Sequence, residues 1–230
     1  SFGTAGSIAQ FTGPALQVAR RGFEQVSLDS RGDLRFLAPT GNQAKSELWT
    51  AADLNLRAAQ IYPASDITAE VRVGYQSEQP GADPQHTLRI SGTGAVPVAL
   101  PYSVFGNLTL AAGRIEQGGV IRAPLGMINL GDQSVVNTHE LHVLPGSLTS
   151  VSGKGLVLPY GGTVDGQVYK YNGKTVTFLG QGGANEAGGL YVGMILGGQS
   201  VVVQPDATVD LSGGGELLGA GFISGRGGST

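Results

Sequence analysis

The sequence predicts an all-β protein whose chain winds as a parallel β-helix, with about 20 residues in each coil. Two observations predict this fold. Apolar and polar residues alternate in short runs, which is typical of β-strands because successive side chains point to opposite faces. These runs also recur at a regular step of about 20 residues, each led by glycine, in Gly106–Leu110, Gly126–Leu130 and Gly146–Ser150. A regular step between strands predicts coils that stack on one another.

The same step places Leu34–Phe36 before Leu54–Leu56, and Leu88–Ile90 before Leu108–Leu110. Within the strands, the alternation predicts which side chains face the interior, namely Leu108, Leu110, Ile128, Leu130 and Leu148. The polar positions between them predict an outer face of Asn107, Thr109, Asn129 and Thr149. Turns are predicted at Ala123–Gly126 and Leu144–Gly146, where proline fixes φ and glycine supplies left-handed backbone.

Two segments interrupt this rhythm and predict excursions from the coil. Residues 76–85 are polar and contain proline, which predicts a loop. Residues 159–189 form the second excursion, and within it residues 168–178 alternate on both sides of Asn172-Gly173, which predicts a β-hairpin. Loops on a rigid scaffold often bind partners, so both excursions are candidate contact surfaces, with tolerated surface insertions as the alternative. We expect residues 1–230 to form a single β-helical segment of a longer protein.

Composition narrows the functional classes. There are 39 glycines, and charged residues make up only 13% of the chain, which suits tight corners around an apolar interior. The net charge is −3 and the basic residues are scattered, so we expect no nucleic-acid partner. Cysteine is absent, which excludes disulfides and thiolate chemistry. We also expect no transmembrane segment, since no run approaches the ~18 apolar residues that a membrane helix needs.

Residues 108–162 resemble the filamentous-haemagglutinin-like exoproteins of two-partner secretion systems, through Leu-Thr-Leu-Ala-Ala-Gly, Gly-Val-Ile-Arg-Ala-Pro-Leu-Gly and Leu-His-Val-Leu-Pro-Gly-Ser-Leu-Thr-Ser-Val-Ser. Residues 203–215, through Phe222 to residues 225–229, are similar to a recurring segment in the C-terminal part of those proteins. The resemblance implies a right-handed parallel β-helix from the shaft or C-terminal region of a long secreted rod. It also implies export through an outer-membrane transporter to the bacterial cell surface, and a role in adhesion or biofilm formation. Toxin-delivering relatives share this shaft, so the shaft of a contact-dependent toxin-delivery exoprotein is an alternative.

Arg31-Gly32-Asp33 is the candidate binding motif, because integrins recognise this tripeptide in several adhesins. An exposed turn then offers the arginine and the carboxylate to an acidic site and a metal ion. A three-residue match carries little information, and the alternative is a Gly-Asp turn that opens a strand at Leu34.

Thr138–His142 is similar to a zinc-protease motif, but its two histidines are three positions apart in a predicted strand, so they point to opposite faces. We therefore predict no metal site and no cofactor.

The enzymatic alternative is a β-helical polysaccharide lyase or glycoside hydrolase. Hydrolysis needs two carboxylates about 5 to 9.5 Å apart, and Asp33 and Asp53, one predicted coil apart, are the one pair that fits stacked coils. Each aspartate, however, sits where Asp serves turn geometry, and we predict no catalytic residues and no enzyme.

The sequence thus predicts a structural and adhesive rod section. We expect a glycan or protein of the host-cell or biofilm surface as its partner. Uncapped first and last coils predict end-to-end or lateral self-association.

Overall fold

The computed structural model describes residues 23–38, 45–74, 85–94, 99–131, 138–158, 162–164, 168–171, 174–178 and 190–217. All regular structure in these ranges is β-strand. The first eleven strands are β1 (Gln25–Asp29), β2 (Leu34–Phe36), β3 (Ser46–Thr50), β4 (Asp53–Ala58), β5 (Ile61–Pro63), β6 (Thr68–Val73), β7 (Thr87–Gly92), β8 (Asn107–Ala111), β9 (Arg114–Gly118), β10 (Val120–Arg122) and β11 (Met127–Leu130). The others are β12 (Glu140–Val143), β13 (Leu148–Ser150), β14 (Val157–Leu158), β15 (Gly162–Val164), β16 (Val168–Tyr171), β17 (Lys174–Phe178), β18 (Leu190–Leu196), β19 (Ser200–Val203), β20 (Thr208–Asp210) and β21 (Glu216–Leu217).

Three parallel sheets run along the molecule, and the chain visits them in turn. Sheet A has the spatial order β1-β4-β7-β9-β12-β19, and sheet B the order β2-β5-β10-β13-β20. Sheet C contains β3, β6, β8, β11 and β18, with β15 to β17 joined at one end. Each return to the same sheet completes a coil, so the predicted parallel β-helix is confirmed. Sheet B has no described strand from the coil that contains β7, and Ile61 of β5 therefore pairs with Ile121 of β10.

The predicted coil length of about 20 residues holds where β11 stacks on β8, and other coils differ from it. Asn129 pairs with Thr109, a step of 20 along the chain, but Glu116 pairs with Arg89, a step of 27, and Asn55 with Ser27, a step of 28. The corners cause the difference, because residues 93–106 lie between β7 and β8 in the coil from Arg89 to Glu116, whereas the coil from Thr109 to Asn129 contains only the short corners 112–113, 119 and 123–126. Leu34–Phe36 and Leu54–Leu56 therefore lie on different sheets, as do Leu88–Ile90 and Leu108–Leu110.

The interior of the coil is a set of stacked aliphatic rows. Four residues predicted to face inward are fully buried: Leu108, Leu110, Ile128 and Leu130. The prediction for β13 is wrong, because Thr149 is fully buried and Leu148 is only half-buried. The strand lies on sheet B, where Thr149 pairs with the buried Ile121. The Thr149 hydroxyl accepts a hydrogen bond from the buried Gln117 Nε2 at 3.2 Å, so its polarity is satisfied inside the core.

Both predicted corner turns are present. Gly126 N donates to the Ala123 carbonyl at 2.9 Å, and Ser147 N donates to the Leu144 carbonyl at 3.2 Å. In the second turn Gly146 has the left-handed backbone, with a φ of 73°, as predicted. In the first turn it is Leu125 that has a φ of 50°, and Gly126 serves a different purpose. A Cβ on Gly126 would lie 2.0 Å from the Gly106 carbonyl oxygen of the coil before it.

The second excursion packs against the coil. Its predicted hairpin is confirmed by the antiparallel pairing of β16 with β17, and β17 continues into parallel pairing with β18. Lys174 Nζ lies 2.8 and 2.7 Å from the two carboxylate oxygens of Asp66, at the corner before β6. The ring centroids of Tyr171 and Phe105 are 4.7 Å apart, so the hairpin also covers an apolar side of the coil. Residues 75–84, nearly all of the first predicted excursion, lie outside the described residues.

Within the described ranges there is no helix of the length and hydropathy that would cross a bilayer.

Candidate ligand-binding face

The outer face of sheet A carries charged and polar side chains in rows, one residue per strand. The central row contains Ser27, Asn55, Arg89, Glu116 and His142. Its members alternate with the buried aliphatic residues, since side chains on a strand point alternately in and out. Parallel pairing brings each side chain close to its equivalent in the next coil, so contacts across this face join residues that are far apart in sequence.

Ion pairs connect side chains on this face, mostly between register partners on adjacent strands. Arg57 Nη1 lies 2.9 Å from Asp29 Oδ2, and Arg89 Nε lies 2.9 Å from Glu116 Oε2. Arg114 Nε is 3.3 Å from Glu116 and 3.5 Å from Glu140. The three arginine side chains remain between 46% and 51% exposed, so each guanidinium still presents N–H groups to solvent. Exposed pairs of this kind add little stability, and their main effect is to hold the side chains in place.

A groove of about 760 Å³ opens on this face. Its lining includes the small residues Ser91 and Gly118, and the apolar residues Leu144 and Pro145 of a corner turn. Both carboxylates of its described lining, Asp29 and Glu116, form ion pairs with arginines. The described lining contains no aromatic residue.

A smaller depression of about 410 Å³ adjoins the groove and shares Arg57 with it. Its other lining residues are Arg31, Thr93 and Gly94, so the described lining is cationic with no acidic residue. The Thr93 hydroxyl oxygen is buried and has no hydrogen-bond partner among the described residues. The described lining of the depression is therefore suited to a ligand that accepts hydrogen bonds from guanidinium groups.

The predicted binding tripeptide lies at the edge of this depression. Arg31, Gly32 and Asp33 are all exposed, in the bend between β1 and β2, and the Gly32 carbonyl accepts a hydrogen bond from Ala59 N at 2.8 Å. The Asp33 carboxylate is occupied, since it accepts a hydrogen bond from Gln60 Nε2 at 3.0 Å. Burial raises the pKa of Tyr62, and the neighbouring charge of Asp33 and a hydrogen bond to it raise that pKa further. Arg31 is the member of the motif that lines the depression.

The two aspartates of the enzymatic alternative are not brought together. Asp53 begins β4 on sheet A, whereas Asp33 precedes β2 on sheet B. Asp53 Oδ1 accepts a hydrogen bond from Thr87 N at 3.1 Å and lies 3.0 Å from His86 Nδ1. Each carboxylate thus has a local structural partner, as the turn interpretation expects.

The remaining candidates are absent from the described linings of the groove and the depression. His142 points outward from β12, with Nε2 3.4 Å from Glu140, while His139 precedes that strand. Among the described residues no three side chains of His, Asp or Glu are grouped as metal ligands. Trp49 is 40% exposed on β3 of sheet C, away from the groove of sheet A.

Sheet B carries a polar column at its C-terminal end, where Arg122, Ser150 and Asp210 are in register. The Ser212 hydroxyl donates to Asp210 Oδ1 at 2.6 Å, and Ser212 N donates to the same atom at 3.0 Å. The hydrogen bonds from Ser212 hold the pKa of Asp210 below its usual value, although partial burial opposes them. Burial also lowers the pKa of Arg122.

We expect Asp210→Asn to reduce the dependence of the free energy of unfolding on pH in the acid range. Because the folded-state pKa of Asp210 is lowered, its contribution is complete above the unfolded-state value of about 4 and is lost as the pH falls through the folded value. Urea unfolding at several pH values between about 7 and 2 should give a gap between wild type and variant that narrows in acid. Asp206→Asn, in the preceding corner turn, is the control for loss of a carboxylate in the same coil. A gap that stays constant with pH would contradict the assignment.

Sequence reasoning missed the arginines of sheet A. The interval from Arg57 to Arg89 differs from the interval from Arg89 to Arg114, so no fixed step in the sequence connects them. The signal that was available is the alternation itself, which places Arg57 and Arg89 each beside buried residues of a strand.

No protein-family model, no curated protein and no solved structure matches this chain.

Proposed function

We propose that this chain is a rigid, adhesive rod section of a large secreted bacterial surface protein, and that it mediates adhesion or biofilm formation. One observation carries the proposal: a continuous parallel stack presents an open groove whose charged side chains are already organised in ion pairs. Such a face supplies hydrogen bonds to a ligand without a rearrangement of the scaffold. The resemblance to filamentous-haemagglutinin-like exoproteins supports the extracellular location, the outer-membrane transporter and the bacterial source.

The placement of the acids favours binding over cleavage. Asp29 and Glu116 line the groove, but arginines hold both, and Asp33 and Asp53 belong to different sheets. A lyase or hydrolase needs acid and base groups that are free to move a proton at the scissile bond. The shaft of a toxin-delivery exoprotein remains the alternative for the parent protein, since such a shaft shares the coil.

The stacked coils suit a load-bearing role. Successive strands share backbone hydrogen bonds in all three sheets, so force is distributed over many bonds. The second excursion is fixed to this stack by the Lys174–Asp66 ion pair and by Tyr171. Deleting residues 159–189 would therefore uncover the apolar cluster around Phe105, and substitutions on the surface are a cleaner test.

We expect the purified chain to bind surface glycans or cell surfaces without releasing oligosaccharides, and Ser91→Trp to abolish the binding. Ser91 is exposed and lines the groove, so an indole side chain at this position should fill the groove and leave the core intact. Thr208→Trp, at an exposed position on sheet B, is the matched control. Retention on a glycan panel and cleavage should be assayed in the same samples. Release of oligosaccharides would show that the chain is an enzyme instead. If the chain is retained on no surface, it serves only as a spacer.

A further inference from the structure

Three arginines form a diagonal line across the outer face of sheet A. Arg57 pairs with Ser91, so Arg89 lies one strand further along the sheet and two positions earlier. Arg89 pairs with Glu116, so Arg114 follows by the same step. From the strand spacing and the rise per residue, successive Cα atoms on this line are about 8 Å apart. The line therefore extends across three consecutive coils.

The cationic depression lies at the Arg57 end of this line. Arg31 and Arg57 both line it, and its described lining has no acid. A guanidinium presents parallel N–H donors that match the two oxygens of a carboxylate. A carboxylate in the depression can accept hydrogen bonds from the guanidinium groups that line it.

The groove that continues from this depression is suited to a chain of sugars. It shares Arg57 with the depression, and Arg89 lies further along it. Its lining offers Asn55 and Glu116 for hydroxyl groups, together with the apolar Leu144 and Pro145. Sites for small molecules commonly combine an apolar wall with a few convergent polar groups.

Among the described lining residues of the groove and the depression, Asp29 is the acid that opposes an anion at the Arg57 end. It lines the groove and lies 2.9 Å from Arg57, so it consumes part of the donor capacity of that arginine. Its side chain is 58% exposed, so solvent screens its charge. The repulsion between Asp29 and a bound anion is therefore modest, and an Asp29 variant can measure it.

We propose that this face binds a linear, carboxylate-bearing polysaccharide, with one carboxylate in the depression between Arg31 and Arg57 and the following sugars in the groove toward Gly118. This proposal rests on the proposed adhesive function and specifies its ligand. It predicts a preference for uronate polymers over neutral ones and a dependence on ionic strength.

The experiment measures retention of the whole purified chain on immobilised polygalacturonate, with dextran sulfate and unmodified dextran as parallel surfaces. We expect binding to polygalacturonate, weakening as salt rises from about 0.05 to 0.5 M. The double variant Arg31→Ala with Arg57→Ala should bind at least about tenfold more weakly, since a hydrogen bond to a charged group is worth that factor or more. Asp29→Asn should bind more tightly than wild type, an effect that general loss of structure cannot produce.

Arg35→Ala with Lys154→Ala is the matched control, because it removes the same charge at two exposed positions away from the diagonal. Equal loss of binding in the control would overturn the proposal, since the effect would then be one of net charge. Stronger retention on dextran sulfate would overturn the assignment of a carboxylate. Binding to neutral dextran that ignores the arginine variants would leave the adhesive function intact and overturn only this proposal. Failure of wild type to bind any glycan or cell surface would overturn both.

Discussion

Gly126→Ala should lower the free energy of unfolding by about 3 kcal/mol or more, or prevent folding altogether. A Cβ at this position would lie 2.0 Å from the Gly106 carbonyl oxygen and 2.9 Å from Gly106 N. Both atoms belong to backbone, so the clash cannot be relieved by a side-chain rotation. Relief requires β8 and β11 to separate, and these strands are paired over the whole of β11. Urea unfolding followed by circular dichroism measures the loss.

Gly32→Ala is the control for this variant. No atom lies within 4 Å of a Cβ at Gly32, and the residue is exposed in the bend before β2. We expect a change within about 0.5 kcal/mol, as for most surface substitutions. Similar destabilisation by the two substitutions would show that alanine is tolerated equally at both glycines, and would contradict the close approach of the coils at Gly126.

Val143→Ala should destabilise the fold by about 2 to 3 kcal/mol, whereas Val203→Ala should cost less than about 1 kcal/mol. The two valines are paired in register on β12 and β19, and both occupy the inward row of sheet A. Val143 is fully buried, but Val203 is 48% exposed, because no described coil covers β19. The same two methyl groups are thus lost from a closed interior in one case and from a half-exposed strand in the other.

This pair also tests self-association. If copies stack end to end through the last coil, Val203 becomes buried and its substitution becomes costly at high protein concentration. Unfolding should therefore be measured over a range of concentrations, beside sedimentation of both variants. A large cost for Val203→Ala that does not change with concentration would contradict the open end.

Much of the fold could be predicted from the sequence because it depends on local rules. Alternation identified the strands and the inward positions Leu108 and Ile128, since a strand has a side-chain period of two wherever it lies. Proline and glycine identified the corner turns, and Asn172-Gly173 identified the hairpin, because these residues restrict or permit particular backbone angles. None of these inferences required knowledge of which strands are neighbours.

The lengths of the individual coils, the inward position of Thr149 and the arginine diagonal were decided by the tertiary structure. Each depends on the register between strands, and that register is set by the summed lengths of the corners. These lengths vary widely: the single Gly119 separates β9 from β10, whereas residues 131–139 separate β11 from β12. A longer corner moves the strands that follow to another sheet while their alternation stays the same, so Gly146–Ser150 repeats the pattern of Gly126–Leu130 without stacking on it.

The sequence by itself determined that this chain forms strands that coil. Only the stacking of those coils brought Arg57, Arg89 and Arg114 together, because parallel pairing joins residues by position in the sheet and not by distance along the chain.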